Sequence, residues 1–134
     1  MKVRTHQAID NNLCGRVIDL SLNSCVVELE LVPEMRADSS GLVHGGFVFG
    51  AADYAAMLAV NEPNVVLGSS DVRFMKPCRV GERLRFDALV DSSTGKKRVV
   101  STQAKNSDGD VVFTGNFICI VPERHVLGHL SASA

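Results

Sequence analysis

Two rhythms divide the chain. Residues 15–20 and 25–31 are rich in β-branched and aliphatic side chains, and Val26-Val-Glu-Leu-Glu-Leu-Val alternates over its later part. That period-two pattern predicts a hairpin turning at Leu22-Asn23-Ser24. The same rhythm returns over 65–75, 82–91, 97–106 and 110–121. The breaks are Lys76-Pro77-Cys78-Arg79-Val80-Gly81, residues 92–96, and Ser107-Asp-Gly-Asp110, whose Asp-Gly pair signals a tight hairpin. Residues 33–40 are polar and read as a loop. Residues 46–60, Gly-Phe-Val-Phe-Gly-Ala-Ala-Asp-Tyr-Ala-Ala-Met-Leu-Ala-Val, are apolar without alternation and predict a helix that stops at Asn61-Glu62-Pro63-Asn64. Such a helix is buried only if the hairpin and a four-strand antiparallel meander curl around it, which makes an α+β domain. A helix apolar on all sides asks for cover from more than one sheet face, and a second copy of the chain is the simplest cover.

Length and composition narrow the class. The 134 residues, 46% of them hydrophobic, suffice for one domain, here residues 1–134 with a core over about 14–121 and a tail over 122–134 that frays at its end. A formal net charge of −1 creates no field that would gather nucleic acid or an anionic membrane. Cys14, Cys25, Cys78 and Cys119 have no metal spacing, and the first residues lack the apolar core of a signal peptide. These features predict free thiols in a reducing, cytoplasmic setting. His6, His125 and His129 lie near the ends without ligand spacing, so no metal is expected. Residues 42–60 approach membrane-spanning length, but Asp53, His44 and three glycines oppose insertion.

Asp53 is the anomaly. An ionised carboxylate costs several kcal/mol to bury unless it is paired or works chemically. Alone, it has three explanations: an exposed stripe of the helix, an ion pair with a later arginine, or a catalytic role. Its neighbours add context. Gly45 and Gly46 let the backbone turn tightly and bring bare N–H groups close to a ligand.

The ordered set Gly41-x-x-His44-Gly45-Gly46, Asp53 seven residues later, Asp71-Val-Arg-Phe-Met-Lys-Pro77 and Gly81-Glu82 resembles the hotdog-fold acyl-CoA thioesterases, in particular their phenylacetate-pathway (PaaI-like) branch. The resemblance implies a curved antiparallel sheet wrapped around one helix, and a homodimer, often paired into a homotetramer, with sites at the dimer interface. It implies thioester hydrolysis with Asp53 as general base or nucleophile, and Gly46 offering its N–H to the oxyanion at the helix's positive end. His44 matches a loop histidine that orders the turn or bonds near the thioester, and Gly45 stands beside it. Phe47, Tyr54 and Met57 are candidates for an acyl pocket, though such spacing also suits plain core. Lys76, Arg79 and Arg83 are candidates for the phosphates of coenzyme A, the one cofactor-like group implied, as part of the substrate. Lys96, Lys97 and Arg98 suit a solvated strand edge better.

Two departures from the family pattern point to an alternative, a non-catalytic acyl-CoA-binding protein with a sensing or regulatory role. Asp38 stands where relatives carry an asparagine, and Ser69 and Ser70 fall one or two residues after the place of a water-orienting hydroxyl.

Overall fold

In the computed structural model, which describes residues 1–128, six antiparallel strands form one sheet in the order β1-β2-β4-β5-β6-β3. The elements are α1 (Asn11–Cys14), β1 (Arg16–Ser21), β2 (Ser24–Glu30), α2 (Gly45–Val60), β3 (Val66–Phe74), β4 (Arg83–Thr94), β5 (Lys97–Lys105) and β6 (Val111–Ile120). The sheet curves around α2, giving the α+β hotdog arrangement that the pattern and the resemblance predict. Residues 129–134, with His129 and the end of the expected tail, lie outside the described residues.

The strands after the helix are not a four-strand meander. β4, β5 and β6 are consecutive neighbours, but β3 pairs with β6, Val72 opposite Gly115, and β4 pairs with β2, Phe86 opposite Val27. Alternation reports which face a strand buries and is silent about its partner. The length of the connection decides that: sixteen helical residues rise about 24 Å, and the four strand spacings from β2 to β3 take about 19 Å. Helix α2 therefore carries the chain from β2 across the sheet to its far edge.

Alternation does place the core. Leu84, Phe86 and Ala88 are buried while Arg83, Arg85 and Asp87 between them face solvent. Phe113 and Phe117 of β6 are fully buried with them. Nine residues of α2 are buried inside one copy of the chain, from Val48 and Ala51 to Ala59. A second copy is therefore not needed to cover this apolar helix, because the curved sheet covers one side and the unpredicted α1 another. Asn11 of α1 reaches Tyr54 Oη through its side-chain amide at 3.4 Å. At the other end, Asn61 adopts the left-handed conformation (φ 52°) that ends helices, and its N–H donates to Met57 O. Its carboxamide accepts from Arg4 N at 2.8 Å and donates to Lys2 O at 2.9 Å, tying the N-terminal segment to the helix.

The loop over 33–40 contains one short 3-10 turn, Pro33–Met35, and β4 runs on to Thr94. All four cysteines are free thiols, three buried and Cys14 half-buried. No described helix is long and apolar enough to cross a membrane.

Candidate functional site

Short-range hydrogen bonds shape the approach to α2. Asp38 accepts from the backbone N–H of Ser40 at 2.9 Å and from its hydroxyl, closing a tight Asx turn. Those bonds hold its exposed carboxyl below the usual range. Isolated bridges join Arg36 to Val43 and Leu42 to Arg79, and His44 N donates to Met35 O at 2.9 Å. The loop thereby delivers His44 as N-cap, with extended backbone and no side-chain cap. The N–H groups of Gly45 and Gly46, at the first two helical positions, have no intrahelical acceptor, and the helix dipole puts its positive end there.

The His44 ring lies over Gly46. Its Nε2 stands 3.0 Å from where a β-carbon on Gly46 would be, so glycine is what permits this closeness. The imidazole meets Phe47 edge-on, with centroids 6.1 Å apart.

Gly46, Gly50 and Asp53 share one helix face at i, i+4 and i+7. Gly46 is exposed, and a β-carbon on Gly50 would meet nothing within 4 Å. The two glycines leave this face free of side chains of its own between the helix start and Asp53. Asp53 is neither fully exposed nor ion-paired among the described residues. Its Oδ1 is buried without a hydrogen-bond partner, and burial pushes its carboxyl from 3.8 to about 6. A carboxyl poised near neutrality suits a general base. Burial likewise raises the Cys119 thiol to about 12, with Asp53's charge adding to it, which leaves that thiol protonated and unreactive.

The other sequence candidates scatter. Tyr54 and Met57 are buried in the closed core, 5% and 1% exposed. Ser69 and Ser70 lie exposed on the edge strand β3, after a register shift between Leu67 and Ser69. Lys76 pairs with Asp110 at 2.8 Å and Arg83 with Glu28 at 3.6 Å. Arg79 forms no side-chain ion pair among the described residues, and its backbone N–H donates to Glu82 Oε2 at 2.6 Å.

One feature escaped the sequence reading. A cavity of about 290 Å³ opens beside the start of α2, walled by Val43, Gly45, Val48, Phe74, Pro77 and Cys78, with Lys76 and Val112 completing it. Its walls come from three separate stretches of chain, 43–48, 74–78 and Val112, so no local motif marks it.

Residues 40–113 match the family model described as the thioesterase superfamily. Over 120 residues the chain is 43% identical to methylthioribose-1-phosphate isomerase of Aquifex aeolicus, covering 90% of this chain and 26% of that protein. Over 105 residues it is 31% identical to the transcription factor FapR of Shouchella clausii, covering 77% and 54%. The chain thus spans about a quarter and about half of the lengths of these two relatives. An uncharacterized protein of Pyrococcus horikoshii superposes with a TM-score of 0.92 at 48% identity, over 95% of this chain and 97% of that one. A hypothetical thioesterase of Streptococcus pneumoniae, solved with coenzyme A, superposes with a TM-score of 0.74 at 19% identity over 82% and 87%, a likeness of fold alone.

Proposed function

The chain belongs to the thioesterase superfamily, and from that premise we propose that it hydrolyses an acyl-CoA thioester, with Asp53 as general base or nucleophile and Gly46 as oxyanion donor. The observation that carries this reading is the Asp53 carboxyl, buried, unpartnered at Oδ1 and raised to about 6, on the helix face that starts at Gly46. An unsatisfied buried carboxyl costs stability, and a reaction that needs a base near neutrality accounts for its presence. The match to the thioesterase superfamily supports the choice of thioester.

Geometry adds a condition. Seven residues of helix rise about 10 Å, so Asp53 and the N–H of Gly46 in one chain stand too far apart for direct attack on a carbonyl held by that N–H. A water bridges part of the span in the base mechanism; in the nucleophile mechanism the Asp53 of a second copy must be the one that attacks. A homodimer, or a pair of them, suits either route. Edge strand β3, paired only with β6, offers the second copy an open ladder. Sedimentation at micromolar concentration is expected to give at least a dimer. A 14.4 kDa species alone would remove the interface site.

Arg79 is the proposed contact for the phosphates of coenzyme A, since Lys76 and Arg83 already hold carboxylate partners. His44 holds the glycine turn in place.

The likeness to the transcription factor FapR favours a second reading, an acyl-CoA-binding protein with a regulatory role. Free-thiol release across short, long and aromatic acyl-CoAs, together with native mass spectrometry of the purified protein, separates the two. Turnover supports the enzyme. A retained acyl-CoA without turnover supports the regulator.

A further inference from the structure

We infer that the cavity beside the start of α2 receives the acyl part of the thioester and restricts it to small, uncharged aliphatic groups. This inference rests on the acyl-CoA reading above and names the substrate class for the same site. Gly45, whose N–H is unbonded at the helix start, lines the cavity and is followed at once by Gly46, so a carbonyl held at this helix start directs its acyl chain along the neighbouring wall. That wall is apolar: Val43, Val48, Phe74, Pro77, Cys78 and Val112. Cys78 stays a neutral thiol, because burial and then the charge of Glu82 raise it to about 11. The one cation on the rim, Lys76, is held by Asp110 at 2.8 Å. The cavity therefore offers no free positive charge to an acyl group that ends in a carboxylate, and burying such a group without a partner is strongly unfavourable.

Size sets the second limit. At about 290 Å³ the space equals roughly ten water volumes of ~30 Å³. That accommodates an acyl group of about four to eight carbons, and a longer chain must run past Phe74 into solvent, where it gains no further burial. Phe74 closes the space. Its Cε1 stands 3.2 Å from where a β-carbon on Gly45 would be, so glycine at this position lets the ring seat against the helix start. The ring also packs edge-on against buried Phe113 at 5.3 Å, while 54% of the residue remains exposed. Phe74 is thus the wall whose removal lengthens the cavity with least damage to the core.

The test is a series of straight-chain acyl-CoAs from two to sixteen carbons, with one dicarboxylic acyl-CoA, on the wild type and on Phe74→Ala and Phe74→Leu. Either hydrolysis or binding affinity serves as readout. The wild type is expected to prefer chains of about four to eight carbons, gaining about fourfold per buried methylene up to its optimum, and to reject the dicarboxylic compound. Phe74→Ala is expected to move the optimum at least two carbons longer, with Phe74→Leu between. Hydrogen exchange read by peptide mass spectrometry gives a readout independent of turnover: hexanoyl-CoA should protect the backbone amides around 74–78 and free coenzyme A should not. An unchanged chain-length optimum in Phe74→Ala, or equal protection by free coenzyme A, overturns the pocket assignment while leaving the acyl-CoA reading intact. Failure of every acyl-CoA to bind or react overturns both.

Discussion

Replacing Asp53 with asparagine is expected to lower acyl-CoA hydrolysis about 10²-fold or more and to raise thermal stability at neutral pH, two opposite effects with one cause. Asparagine keeps the size of the side chain and removes both the basic oxygen and the charge, so substrate binding survives while turnover falls. The stability gain follows from linkage. The folded protein holds the Asp53 proton more tightly than the unfolded chain does, about 6 against 3.8, because burial disfavours the charged form. The ionised carboxyl is therefore a penalty on folding, absent below about pH 4, growing between 4 and 6, and complete above 6. The rise from 3.8 to about 6 corresponds to about 3 kcal/mol as an upper bound, reduced by the part of the residue that still meets solvent. Unfolding of both proteins at pH 5 and pH 8 should show the larger difference at pH 8, and the wild-type rate should rise with pH through about 6. An unchanged rate in Asp53→Asn across the acyl-CoA panel removes Asp53 from the chemistry.

The second large effect is structural. Phe117→Ala should cost about 3–5 kcal/mol of stability, because a fully buried aromatic side chain is lost and a cavity remains. Phe117 lies between Phe49 of α2, at 5.5 Å, and Phe113 of its own strand, at 6.5 Å. It therefore seats the helix on the sheet by the side that carries Phe49. Asp53 lies one turn beyond Phe49 on that same side, so the packing of Phe117 also fixes where Asp53 stands. Denaturant unfolding reads the loss directly. A cost below about 1 kcal/mol would mean that other contacts seat the helix.

Much of this was legible from the chain. The unbroken apolar run over 46–60 marked the central helix, and the alternating runs marked all six strands to within a few residues. Asp53 stood out because nothing near it in sequence pairs with a carboxylate, and the Gly45-Gly46 pair marked the unbonded N–H groups at the helix start. Three things were decided only by tertiary structure. The partner of each strand depended on the length of α2, which carries β3 to the far edge, whereas alternation encodes only a face. The cover over α2 came from its own sheet and from α1, four residues with no apolar periodicity to announce them. The cavity wall joined Val43, Val48, Phe74 and Cys78 with Val112, residues that share no local pattern. Hydrophobic periodicity is a property of neighbouring residues and is therefore written in the sequence. Burial of Asp53 to the point where its carboxyl rises to about 6, the pairing of Lys76 with Asp110, and the shape of a cavity depend on distances between remote segments, which exist only once the chain has folded.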